Sequence, residues 1–393
     1  MARDNLTKNT EIIGEWFLPN SDEKIPGIFR YEDGQSSLEL LRFFNFHESS
    51  QFPITIKKIH GETKIGKATL TDVRFRYSFS SIGSVYLAIF GNHLDDSHVI
   101  QNIGFNFDLL NEWAISKYPY TAISINEEGI KNMKNTHEVF SCMVNGITCE
   151  LHISLGTGVS YLEGTKTYHL SSFLMKSEKN KSIRDFIDQI IGIQQFLMLV
   201  MGRNLNLTSM TIGNDSRSHN VYLPVLKNEN KGSDLDHFFN ISYIRENYTE
   251  VLTDWFDFYL KNKYLLSLFF DTMEKPEIED SDFYVYASML EGYYKSRYEG
   301  EKDYQKRISI VLKPFESEFS NINEFVKEVS KMRHDIFHFN RREELDINKL
   351  HSLTHDLFFL IRMILLNGIG LNITMTTNPH MKKLIFLKRN EIG

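Results

Sequence analysis

At 393 residues the chain is too long for one ordinary hydrophobic core, so two domains are expected. Its 41% hydrophobic and 13% aromatic content excludes a disordered chain, and a formal charge of −7 excludes a general nucleic-acid coat, though not a local basic groove. Its two cysteines, Cys142 and Cys149, exclude a disulfide framework and a four-thiolate zinc site; they read as reduced thiols that could face each other across a hairpin.

Residues from about 11 to 180 read mainly as short strands. Ile54–Ile56, Val85–Phe90, Phe105–Leu109 and Thr148–Ile153 are β-branched or aromatic runs bounded by turn residues such as Glu32-Asp33-Gly34 and Gly91-Asn92. Asn145-Gly146, between Phe140–Val144 and Ile147–Ile153, is a hairpin signal, and Leu109–Ile115 reads as a short helix. From Ser182 to Gly202 the period changes: Ile183, Phe186, Ile187, Ile190, Ile191, Ile193, Phe196, Leu197 and Val200 fit a helix with a broad apolar face, capped by those two residues. Leu205–Leu226 returns to strand alternation around a turn, and the polar run Lys227–Asp236 is the linker candidate.

Beyond the linker the pattern is helical. Helices are expected at Ser242–Met273 (with a kink), Asp282–Tyr298 (capped by Asp280 or Ser281), Asp303–Lys313, Asn321–Phe337 and Asp346–Leu366, with Asn367-Gly368 as a stop signal. The reading is therefore α+β: a β-rich N-terminal domain over 1–230, with a helix near 182–202, and an all-α bundle over 237–393. The polar Met1–Asn5 lacks a signal-peptide core, and Leu357–Leu366 is too short and is broken by Arg362. A cytoplasmic protein without a membrane partner is the expectation.

The segment that carries chemistry is Lys331-Met332-Arg333-His334-Asp335-Ile336-Phe337-His338, an Arg-x4-His pattern with a polar residue after the arginine. An imidazole such as His338 moves protons near neutral pH, and a guanidinium such as Arg333 grips a phosphate and stabilises the charge that builds on it. With RNA the substrate's own 2′-hydroxyl supplies the nucleophile, so no cofactor and no metal is called for. Positions five apart on a helix lie about 140° around and about 7.5 Å along the axis. Both side chains then reach one phosphate through their length, a helix end between them, or a second subunit across a two-fold seam.

Upstream, Phe283–Tyr294 forms an apolar helix that carries Glu291. With Arg333–His338 in the penultimate helix, it resembles the HEPN superfamily, and most closely the ApeA-like HEPN branch of bacterial anti-phage defence. Glu11–Pro19, Ile25–Phe29, Leu38–Leu40, Ile59–Thr63, Thr69–Asp72 and Phe105–Trp113 are similar in succession to the N-terminal domain of ApeA-type proteins. The resemblance implies a metal-independent endoribonuclease leaving 2′,3′-cyclic phosphate ends. It implies His338 as acid/base, Arg333 as the phosphate-stabilising cation, His334 assisting, and Glu291 orienting Arg333. It also implies a homodimer through the helical domain, RNA (tRNA among the candidates) as substrate, and a phage-derived trigger. A non-catalytic HEPN protein that binds RNA, nucleotide or a partner is the alternative.

Other features weigh less. Lys295, Arg297, Lys302, Lys306, Arg307 and Lys313, interleaved with Tyr293, Tyr294, Tyr298 and Tyr304, form a candidate RNA contact, with Lys295, Arg297, Lys306 and Arg307 its selected members. Lys382, Lys383, Lys388 and Arg389 form a second. His351 and His355, next to Asp356, have metal-ligand spacing but no third ligand and read as surface histidines. Gly156-Thr157-Gly158 is no phosphate loop.

Overall fold

Two tight turns set the first hairpins. Asp33 and Gly34 take φ of 49° and 77°, and Asn145 and Gly146 take 49° and 73°, so both central residues are left-handed, as a type I′ turn requires. Asp33-Gly34 joins β2 (Ile25–Glu32) to β3 (Gln35–Leu40); Asn145-Gly146 joins β8 (Thr136–Val144) to β9 (Ile147–Ser160). The computed structural model describes residues 5–44, 53–76, 81–94, 100–115, 136–160, 164–214, 217–225, 241–273, 275, 278–319, 321–337 and 346–371. The linker candidate 227–236, His338 and the basic residues 382–389 lie outside them.

β1 (Thr10–Phe17), β2, β3, β4 (Ile54–Thr63), β5 (Gly66–Phe75) and β6 (Ile82–Phe90) pair antiparallel in the order β3-β2-β1-β4-β5-β6, and β3 pairs back with β6. Six strands thus close into a barrel, which removes their sheet edges. Alternation places Trp16, Phe29, Tyr31, Leu38, Leu70, Val73, Phe75 and Leu87 among the buried side chains. Trp16 lies opposite Gly61 in register, and a Cβ at Gly61 would stand 2.4 Å from the indole Cζ3. The bulk of the tryptophan demands that glycine.

From β6 the sheet continues through β12 (Arg217–Tyr222), β11 (Leu207–Asn214), β7 (Ile100–Phe107), β10 (Gly164–Lys181) and β9 to β8. Strand β7 ends two residues before the expected Leu109. Asp108 accepts from the Asn206 backbone and side-chain amides at 2.7 and 2.8 Å, and Leu109 turns to φ 57° before α1 (Leu110–Ile115). Cys142 and Cys149 are buried free thiols and direct cross-strand partners. Helix α2 (Ile183–Met201) opens on a reciprocal cap: the Asp185 N–H donates to Ser182 Oγ and the Ser182 N–H to Asp185 Oδ2. It closes at Gly202, whose φ of 72° brings its N–H within 2.8 Å of the Met198 carbonyl.

The chain divides into two compact units, one of Met1–Gln194 and Leu205–Glu229, the other of Gln195–Asn204 and Asn230–Gly393. The second contains α3 (Ile241–Ile244), α4 (Tyr248–Met273), α5 (Phe283–Arg297), α6 (Tyr304–Leu312), α7 (Ile322–Phe337) and α8 (Ile347–Gly368), together with the last turns of α2. The β-rich and helical regions follow each other as the patterning predicts. The expected kink in α4 falls at Asn262 (φ −127°, ψ 23°), whose side chain donates to the Phe258 carbonyl at 2.9 Å.

Helix α5 is central and packs against α4, α6, α7 and α8. Its start differs from expectation, because Asp280–Asp282 form a 3-10 turn and the capping box lies at Glu279. The Glu279 N–H donates to Asp282 Oδ2 at 3.0 Å, and Lys275 binds the buried Asp282 carboxylate at 2.6 Å. Trp255, Phe269, Tyr286, Leu290, Leu312, Val329, Leu353 and Leu357 are buried in this unit. No helix among the described residues is long and apolar enough to cross a membrane.

Candidate active site

Helix α7 begins where Asn321 Oδ1 accepts from the Glu324 N–H at 3.1 Å, and it buries Phe325, Val326, Val329 and Met332. That packing leaves Arg333 at the edge of the core, half-buried, with the next residue, His334, exposed. The guanidinium Cζ lies 4.3 Å from the centre of the Tyr304 ring, at cation–π distance. Its Nη2 donates to Glu291 Oε2 at 3.4 Å, while its buried Nε has no hydrogen-bond partner among the described residues. A guanidinium carries five N–H donors. This one is therefore oriented by a ring on one side and a carboxylate at one edge, with most of its fork uncommitted among the described residues.

Glu291 comes from the middle of α5, and α6 supplies the rest. Glu291 Oε1 accepts from Arg307 Nη1 at 2.6 Å and from Lys295 Nζ at 2.9 Å. Burial pushes the Glu291 carboxyl up, but Lys295, Arg333 and Arg307 outweigh it and hold the group below its usual range. One carboxylate thus serves three cations, and the cluster keeps a net positive charge.

Tyr304, the first residue of α6, donates its hydroxyl to the Ala287 carbonyl at 3.1 Å, which pins α6 to α5 beneath Arg333. Burial raises the Tyr304 phenol far above its ordinary value, with Arg333 opposing, so it stays a neutral ring. The connection between α5 and α6 is clamped as well. Arg307 Nε donates to the Glu301 carbonyl at 2.7 Å, and the Tyr294 hydroxyl donates to the Glu299 carbonyl while accepting from the Glu301 N–H.

The structure brings Glu291, Lys295, Arg307 and Arg333 together. It places Arg297 elsewhere: Arg297 donates to the Gly368 carbonyl at 2.9 Å and covers the Phe258 and Tyr293 rings. Lys306 is exposed, with its ammonium 4.0 Å from Glu301. His338 lies outside the described residues, so its distance to Arg333 is not among them. Sequence reasoning took Tyr304 for a base-stacking candidate and missed it as the shelf under Arg333; its position directly after the Asp303 N-cap was the only local signal. His351 and His355 have ring centres 4.5 Å apart; His351 bonds Asp280, and burial lowers the His355 pKa ahead of the effect of His351. Among the described residues no group of three or more His, Cys, Asp or Glu could hold a metal.

A family model for the ApeA N-terminal domain 1 matches residues 11–255, and one for the Apea-like HEPN domain matches residues 257–374. Neither the curated proteins nor the solved structures yield a match. The helical unit with its α5–α6–α7 cluster falls largely within the second match, whose family is generally one of nucleases. With the first match alone covering more than half of the sequence, the chain belongs to the ApeA-type HEPN family of anti-phage proteins.

Proposed function

We propose that the chain is a metal-independent endoribonuclease of the abortive-infection type, acting in the bacterial cytoplasm and cutting RNA at Arg333 and His338. The observation that carries this reading is the preparation of Arg333: a half-buried guanidinium stacked on Tyr304 and oriented by Glu291, five residues before His338 in a HEPN bundle. Orienting a cation before substrate arrives is how a site stabilises charge that develops only in the transition state.

In the proposed reaction the 2′-hydroxyl attacks the adjacent phosphorus and gives up its proton as the P–O5′ bond breaks. The leaving 5′-oxygen takes a proton, so the products are a 2′,3′-cyclic phosphate and a 5′-hydroxyl. His338 moves the protons, Arg333 holds the phosphoryl oxygens, and His334 assists by contacting substrate or orienting His338. Two chains pairing their helical units would supply a second set of these residues to one groove. Restraint before infection is assigned to the N-terminal unit, which a phage-derived signal would relieve.

The test is cleavage of total RNA, tRNA included, in excess chelator by wild type, Arg333→Ala and His338→Ala, with product ends assayed for cyclic phosphate. Each substitution is expected to lower cleavage by about 10²–10⁴-fold. Equal cleavage by all three forms removes Arg333 and His338 from the site; no cleavage by any form, or a biological effect that survives His338→Ala, supports the non-catalytic binding alternative instead.

A further inference from the structure

We propose that Cys142 and Cys149 are a reversible disulfide site, closed by peroxides and locking strand β8 to β9. They are the only two cysteines of the chain, and the register sets them directly opposite each other. The type I′ turn at Asn145-Gly146 fixes that register. Val144 and Ile147 flank it as a hydrogen-bonded pair, and such pairs recur at every second position along the strands. Cys142 and Cys149 are therefore the next hydrogen-bonded pair, with Cα atoms about 5.5 Å apart, inside the span of about 4.4–6.8 Å that a disulfide bridges. Both side chains lie on the buried face, and Gln189 of α2 holds the strand end by donating to the Val144 carbonyl at 2.9 Å. The two thiols share a hydrogen bond, so the sulfurs already meet.

The pair is asymmetric. The hydrogen bond with Cys149 lowers the Cys142 pKa against the effect of burial, whereas the same bond and burial push Cys149 well up. Cys142 is thus the nucleophile and Cys149 the resolving thiol. The Cys142 thiolate attacks one peroxide oxygen; the O–O bond breaks, the leaving oxygen takes up the proton Cys142 gave up, and Cys142 becomes a sulfenic acid. The Cys149 sulfur then attacks the Cys142 sulfur, and its proton leaves with the displaced hydroxide as water. Two thiols have lost two electrons and two protons, and the peroxide has been reduced. Burial alone leaves a thiol inert, but β8 ends the sheet and pairs only with β9 among the described residues, so Cys142 lies on a strand that opens at low cost. The pair also favours reversal. Opposed Cβ atoms at a hydrogen-bonded position stand about 5.5 Å apart, wider than the roughly 3.5–4.5 Å of a relaxed disulfide, so the bond closes under strain and is readily reduced again.

The site stands apart from RNA cleavage, and its test uses the folded full-length protein exposed to hydrogen peroxide. After the oxidant is quenched, the remaining thiols are alkylated in denaturant and counted by intact mass. Wild type is expected to lose both alkylatable thiols, to become lighter by two hydrogens, and to regain both thiols with reduced glutathione. Cys149→Ser should instead accumulate a sulfenic acid at Cys142 that dimedone traps, while Cys142→Ser should leave its remaining thiol unoxidised at the same dose. Oxidised wild type should exchange its Thr136–Val144 amide hydrogens about tenfold more slowly than the reduced protein. Two thiols that persist in the folded protein overturn the site, as does a disulfide that appears only in urea or only between chains. Exchange in β8 that oxidation leaves unchanged overturns the lock, and a bond that resists reduced glutathione overturns its reversibility. The thiol count and exchange of wild type decide these points even where a serine variant fails to fold.

Discussion

Replacing Glu291 by Gln tests the electrostatic core of the site with almost no change of shape. The carboxylate loses its charge toward Arg307 at 2.6 Å, Lys295 at 2.9 Å and Arg333 at 3.4 Å. These contacts are unequal. Lys295 is 61% exposed and contributes on the order of 0.3 kcal/mol; the 3.4 Å Arg333 contact is long and adds about 0.5 kcal/mol. Arg307 is only 16% exposed, and a charge-assisted bond of that length is worth about 1.5–2 kcal/mol. The expected cost is about 2–3 kcal/mol, or roughly 5–10 °C in the transition of the helical unit, followed by circular dichroism.

The pH dependence gives the reasoning a second handle. The folded carboxyl lies below its unfolded value, so its contribution is complete above the unfolded pKa of about 4.3 and is lost as pH falls through the lower folded pKa. The gap between wild type and Glu291→Gln should therefore be full at pH 7 and close on acidification below about pH 4. A loss under 0.5 kcal/mol at pH 7, or a gap that persists or widens in acid, refutes the account of Glu291 as the charge partner of this cluster.

Three further outcomes follow from individual contacts. Tyr304→Phe keeps the ring under Arg333 and loses one hydrogen bond, about 1 kcal/mol in thermal unfolding; Tyr304→Leu also removes the cation–π shelf and should lower RNA-cleavage kcat about tenfold further, with KM less affected. Arg362, buried in α8 with its pKa pulled down to about 9 by desolvation, donates to the Leu199 carbonyl at 3.0 Å in the last turn of α2. Arg362→Ala strands that C-terminal carbonyl and leaves a cavity, so urea unfolding should show a loss of about 2–4 kcal/mol. Gly61→Ala drives a methyl into Trp16 and should cost about 3 kcal/mol in the unfolding of the β-rich unit, read by tryptophan fluorescence.

Much of this molecule is written in local chemistry. Asp33-Gly34 and Asn145-Gly146 specify their hairpins because few other pairs accept two left-handed residues, and the second sets Cys142 opposite Cys149. Ser182, Asp303, Asn321 and Asp346 announce helix starts because their short polar side chains reach an unpaired N–H within one turn. The Arg-x4-His spacing and the change of period after Lys181 are legible for the same reason. Each depends only on residues a few positions apart.

What tertiary structure alone decided is long-range. The return pairing of β3 with β6 closes the barrel, yet β3 alternates like any other strand, since closure depends on strand tilt and stagger summed over six strands. The linker candidate, read from polarity alone, lies outside the described residues. Glu291 and Arg333 are 42 residues apart, and Tyr304 lies between them in a different helix. A sequence pattern names their types, but only the packing of α6 and α7 on α5 aims three side chains at one point. The same packing spent Lys295, Arg297 and Arg307 on internal partners. Composition counts charges; which of them remain uncompensated is determined by where the backbone carries their partners.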